Sequence, residues 1–108
     1  VSSNTGAYYN VLSPSPKTIT FADTPYTVLA SDFAVYVDAT GGAVTVNLPA
    51  ATGSGRTLVF KKSDASGNAV TIQASGAETI DGANAPTLTT QYESIMIQDS
   101  ASGVWWKI

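Results

Sequence analysis

The chain of 108 residues contains no cysteine and no histidine, and only 12% of it is charged. Without cysteine there are no disulfides and no thiolate nucleophile. With histidine also missing, the usual zinc and copper ligand sets and every imidazole-based acid–base arrangement are excluded, so no metal and no cofactor is expected. Cations are scarce: Lys17, Arg56, Lys61, Lys62 and Lys107 stand against eight acidic residues, for a net charge of −3. No basic stripe can follow a phosphate backbone, which argues against nucleic-acid binding. Long apolar runs are missing too. Nothing approaches the roughly 18 residues of a membrane span, and no basic stretch leads into an apolar one as in a secretory signal.

Apolar residues nevertheless make up 44% of the chain, enough for one core. The polar surface must then come from Ser, Thr, Asn, Gln and Gly, a composition that suits β proteins packing against copies of themselves. A core of this size without staples stabilises only moderately, so association with partners is expected to add robustness.

Residues 1–16 are rich in Ser, Asn, Gly and Pro, with Tyr8, Tyr9, Val11 and Leu12 as their bulky apolar content. The Ser13-Pro14-Ser15-Pro16 run favours extended backbone, and the segment reads as a leader or linker joining the domain at 17–108 to something upstream. From Lys17 onward, short β-prone runs alternate with turn clusters. Thr18–Phe21 and Tyr26–Leu29 flank a turn at Asp23-Thr24-Pro25. Phe33, Val35 and Val37 share one face, and after Gly41-Gly42 so do Val44, Val46 and Leu48, which predicts a hairpin. Further runs are Thr57–Lys62, Val70–Gln73, Glu78–Ile80, Thr87–Thr89, Ser94–Gln98 and Val104–Ile108, with Lys61 and Lys62 read as solvated strand-end cations. The only helix-compatible piece is one turn at Ala30–Phe33. No repeat of 20–50 residues is evident, which argues against a β-helix. The expected fold is all-β: an antiparallel β-sandwich or jelly roll of about eight to ten short strands behind an extended N-terminal leader.

Several blocks carry a resemblance. Tyr26–Phe33 through Val37-Asp38, Val44–Ala51, Lys61–Asp64 with Asn68–Ile72, Glu78–Gly82 and the closing Gly103–Ile108 together resemble a module of bacteriophage tail fibres, tailspikes and other virion appendages, from about Thr18 to the end. The resemblance implies a β-sandwich at the end of a larger phage protein, often a homotrimer. It also implies assembly in the host cytoplasm, a place in the virion, contact with other virion proteins and a role in host attachment. It brings no catalytic motif, and the chain is expected not to be an enzyme. Two other readings remain open: a carbohydrate-binding module using exposed aromatics, and a capsid decoration protein.

Aromatic residues supply the candidate sites. Trp105 and Trp106 are adjacent, so in a strand they point to opposite faces and at most one joins the core. The other is available to a neighbouring subunit or to a sugar of host surface polysaccharide, with Tyr92 as a second wall. Tyr36 faces away from Val35 and Val37, toward an outer surface. Tyr8 and Tyr9 are expected to dock on the domain or on another chain. Asp32, Asp38, Glu78, Asp81, Glu93 and Asp99 fall at turns or strand ends, where solvated carboxylates are ordinary. A glycosidase pair among them is the weaker reading. Asp64, Ser66 and Asn68 faintly resemble a calcium loop, but no later acidic residue completes it, and a polar turn is preferred.

Overall fold

The computed structural model describes residues 15–108. Tyr8, Tyr9 and all but the last two residues of the expected leader lie outside them. Ten strands are found among the described residues: β1 (Lys17–Thr20), β2 (Tyr26–Thr27), β3 (Ala34–Asp38), β4 (Val44–Asn47), β5 (Thr57–Lys62), β6 (Val70–Gln73), β7 (Thr79–Ile80), β8 (Thr87–Leu88), β9 (Ser94–Ala101) and β10 (Val104–Lys107). The helical content is one 3-10 turn at Phe21–Asp23, where Thr20 and Asp23 cap each other's backbone. Ala30 and Ser31, the expected helical piece, sit in a turn closed by the Asp32 N–H on the Leu29 carbonyl.

All-β architecture is therefore observed, but the strand pairing departs from the antiparallel expectation. The strands form one sheet of six, in the order β1-β3-β5-β9-β10-β7, and one of four, in the order β2-β4-β6-β8. Strands β1 to β9 alternate between the sheets, so β1–β2, β3–β4 and β5–β6 are three coils stacked in parallel. Antiparallel pairing enters only with β8, β9 and β10. β3 and β4 are consequently not a hairpin. Their apolar sides face one interior from opposite walls, a pattern that alternation alone cannot distinguish from two arms of one sheet. The absence of a repeat, which argued against a winding chain, reflects coils of unequal length. Partners in register are Lys17 and Val35, then Val35 and Phe60, on one wall, and Tyr26 and Val46, then Val46 and Ile72, on the other.

One apolar core lies between the sheets. Ile19, Val35, Val37, Leu58, Phe60, Ile97 and Trp105 come from the wall of six, and Val44, Val46, Val70, Ile72 and Leu88 from the wall of four. Each large side chain so buried contributes roughly 1.5–3 kcal/mol. The corner after β3 is tight. Gly42 has φ of +154°, and a Cβ there would meet the Phe21 ring at 2.7 Å, so only glycine lets that ring cover the corner.

The corners are fastened from inside by carboxylates that the sequence reading placed in solvent. Asp32, Asp64 and Asp99 are buried. Asp99 accepts from the N–H groups of Thr52 (3.0 Å) and Gly53 (2.7 Å) and from the Ser54 hydroxyl (2.7 Å), which closes the loop between β4 and β5. Asp64 accepts from the Ala39 N–H (2.8 Å) and the Ser66 N–H (3.0 Å), tying the corner after β3 to the one after β5. Lys62, read as a solvated cation, is fully buried, with its Nζ 2.7 Å from Asp64. It occupies the inward position below Ile19 and Val37, and the carboxylate compensates the charge. Asn68 and Ser66 both donate to the Ala39 carbonyl, so the Asp64–Asn68 segment is the expected polar turn, directed inward.

These bonds set the acid response. Burial alone would raise the Asp99 carboxyl, but the Thr52, Ser54 and Gly53 donors outweigh it and lower it to about 2. Burial is likewise outweighed at Asp64 by Lys62, Ser66 and Ala39, which hold it well below the usual carboxylate range. A carboxyl more acidic in the folded chain than in the unfolded one stabilises the fold above the unfolded value near 4 and loses that contribution as pH falls through the folded value. Stability in urea should therefore be flat above about pH 4 and decline toward pH 2. Asp99→Asn, which leaves one donor facing an amide N–H₂, should cost roughly 1–3 kcal/mol at neutral pH and flatten part of that decline. Lys62→Met, which strands a buried carboxylate, should cost roughly 3 kcal/mol in the same measurement.

Candidate functional site

The outer surfaces of the two sheets differ in kind. On the wall of four, the outward positions align in two polar rows, Thr27–Asn47–Gln73 and Thr45–Thr71–Thr87. On the wall of six they align as Thr18–Tyr36–Lys61–Ser94, Ala34–Val59–Met96 and Thr57–Gln98–Trp106. The Ile108 N–H bonds the Met96 carbonyl and so extends the middle row. Large apolar side chains stand open on this wall: Tyr36 is 37% exposed, Met96 42%, Trp106 58% and Ile108 65%.

Of the candidate aromatics, Trp105 is removed from the list, because it is fully buried between the sheets and can stack on nothing outside. Its indole N–H finds no acceptor among the described residues. Trp106 takes the outward position, as alternation requires. Tyr36 faces out beside the buried Val35 and Val37.

Tyr92 and Tyr36 are brought together, away from either tryptophan. They line an open recess of about 390 Å³ with Thr18, Lys61 and Ser63. Thr18, Tyr36 and Lys61 lie side by side on β1, β3 and β5, and Tyr92 closes the recess from the loop between β8 and β9. The Lys61 Nζ lies 5.6 Å from the centre of the Tyr92 ring, a cation–π distance. The Tyr92 backbone is left-handed, with φ of 69°, a conformation that costs a tyrosine roughly 1–3 kcal/mol and a glycine almost nothing. Three bonds hold it there. The Tyr92 N–H donates to the Lys62 carbonyl at 2.8 Å, and the Glu93 carboxylate accepts from the Thr89 and Thr90 N–H groups at 2.9 and 3.1 Å. Those two backbone donors also lower the Glu93 carboxyl from its ordinary value. Sequence reasoning named Tyr36 and Tyr92 but missed Thr18, Lys61 and Ser63. Alternation places Lys61 opposite the inward Phe60, yet only the parallel register brings it beside Tyr36.

A larger recess of about 710 Å³ includes Lys17, Leu29, Asp32, Phe33 and Arg56. Two of its polar side chains, Arg56 and Asp32, hold the chain, and Lys17 lies 5.6 Å from the centre of the Tyr26 ring. The Arg56 Nη2 donates to the carbonyls of Leu29 (2.6 Å) and Asp32 (2.8 Å), while the Asp32 carboxylate accepts from the Tyr26 hydroxyl and the Leu29 N–H. Burial, then the Asp32 carboxylate, pushes the Tyr26 phenol up to about 12.

The same holds for the carboxylates weighed as a catalytic pair. Asp38 accepts from Thr40 N–H, Glu78 from Ala51 N–H and Asp81 from Lys107 N–H, each alongside Asp32, Glu93 and Asp99 in engaging backbone. Among the described residues no group of three or more metal-ligating side chains is found, and no helix is long and apolar enough to cross a membrane. No family model matches the chain, and no curated protein matches it in sequence.

Proposed function

We propose that this chain is a structural and host-attachment module of a bacteriophage virion appendage, a tail fibre or tailspike, that works as a homotrimer and catalyses no reaction. The observation that carries the reading is the contrast between the two outer walls. A sheet face destined for water is polar, as on the wall of four; a face with Val59, Met96, Trp106 and Ile108 in adjacent rows is an exposed apolar patch. A contiguous exposed apolar patch marks an interaction surface, and a stable interface takes about 800 Å² from each partner. The face also carries little charge to repel a second copy, Lys61 and Asp38 being the charged residues at its outward strand positions. The β-sandwich description, the threefold symmetry and the virion setting rest on the resemblance of the Tyr26–Ala51, Glu78–Gly82 and Gly103–Ile108 blocks to appendage modules. A capsid decoration role would use the same face on a different partner.

Light scattering at several concentrations tests this. The purified chain should show a stable mass three times that of the monomer. The double substitution Met96→Lys and Trp106→Lys should reduce it to the monomer mass while keeping the β-sheet circular dichroism. A monomer at every concentration would remove the assembly reading.

A further inference from the structure

The recess between Tyr36 and Tyr92 lies at one margin of the apolar wall, and its chemistry differs from that of the wall. From its composition and backbone we propose that it is a binding subsite for an acidic saccharide, a pyranose that carries a carboxylate. The inference goes beyond the assembly reading and does not depend on it.

Three observations support that occupant. First, the recess combines two phenol rings with the hydroxyls of Thr18 and Ser63. A pyranose presents the matching surfaces, C–H groups above and below its ring and hydroxyls around its edge, so one face can lie on an aromatic ring while the edge is hydrogen-bonded. The Ser63 hydroxyl donates to the Val37 carbonyl and keeps its acceptor lone pairs, so an aliphatic partner would cover the Thr18 hydroxyl and those lone pairs without pairing them. Second, Lys61 is the one charged side chain lining the recess. A carboxylate on the sugar would replace the weak cation–π contact at 5.6 Å with a charge-assisted hydrogen bond.

Third, the Tyr92 backbone is held in a conformation that glycine or asparagine would adopt at lower cost, yet its side chain is 63% exposed. A tyrosine with so little packing gains from that position in the isolated fold only the contact with Lys61. What the backbone adds is a fixed direction for the side chain. The bonds from Tyr92 and Glu93 to β5 and to Thr89 and Thr90 fix the backbone that directs the Tyr92 side chain to the recess before any ligand arrives, which reduces the ordering cost of binding. Strain concentrated at an exposed, preorganised side chain is the pattern of a ligand contact rather than of a structural one. A volume of about 390 Å³ lies in the range of small-molecule sites.

The test uses the full chain with four probes: trigalacturonic acid and an α2,8-linked sialic acid trimer as acidic saccharides, maltotriose and cellotriose as neutral ones. Each is titrated to about 10 mM, tenfold above a millimolar Kd, with tyrosine ring resonances followed by NMR. At least one acidic probe should bind and shift the Tyr36 and Tyr92 signals, and its affinity should fall as salt is raised. Tyr92→Gly should weaken that binding at least tenfold while holding or raising the melting temperature. Lys61→Gln should weaken it several-fold without moving the melting temperature. Three outcomes would overturn the proposal. Neither acidic probe binds; the neutral probes bind as well as the acidic ones and Lys61→Gln changes nothing; or Tyr92→Gly lowers the melting temperature or the mass by light scattering, which would make Tyr92 a packing residue or a contact between copies. The mass measurement on the unsubstituted chain separates failure of this site from failure of the assembly reading.

Discussion

Every Asp and Glu side chain among the described residues accepts a hydrogen bond from a backbone N–H, and the winding of the chain depends on that. Passing back and forth between two walls requires sharp corners, and each corner turns N–H groups away from the sheet ladders and toward the interior. A buried donor without an acceptor costs about as much as the loss of a hydrogen bond. Asp32, Asp64 and Asp99 meet the demand at the corners after β2, β5 and β4. Asp23, Asp38, Glu78, Asp81 and Glu93 meet it nearer the surface. With no histidine and no cysteine, oxygen side chains do this work alone. The same commitment holds the acidic residues in place for structure, so the surface features left for recognition are aromatic and hydroxylic.

That division organises the exterior. One wall offers water a lattice of Thr, Asn and Gln; the other offers aromatics, Met96 and Ile108. At its margin, Lys61 and the Thr18 and Ser63 hydroxyls interrupt the apolar rows beside Tyr36 and Tyr92. The two kinds of contact, broad and apolar or small and mixed, follow from the positions that alternate with the core residues on a single sheet.

Much of this was legible in the sequence, and the rest was hidden for physical reasons. The strand segments and their inward residues follow from period-two alternation, which is why Val35, Val44, Val46, Val70 and Ile72 are buried where expected. The opposed directions of Trp105 and Trp106, and the outward direction of Tyr36, follow from the same rule. Alternation is silent on which strand lies alongside, and a winding chain and a hairpin share one pattern. The parallel pairing, and with it the meeting of Tyr36, Lys61 and Tyr92, was therefore not available. Nor was the burial of Lys62, Asp64 and Asp99. Their residue types predict exposure, and only the geometry of the corners reverses that. The rule that charged residues lie outside failed where backbone donors needed an acceptor inside.

The position of β10 has a consequence for how the molecule is made. The last strand is not at an edge; it lies between β9 and β7 and inserts Trp105 into the core. The early coils pair with near neighbours in the chain, but β5 must wait for β9, and β7 must wait for β10. Until β9 and β10 dock, the larger sheet is incomplete and the core keeps an open apolar slot where Trp105 belongs. Docking of β10 and closure of the larger sheet become a single event, so the outer face of that sheet is complete only once the core is closed behind it.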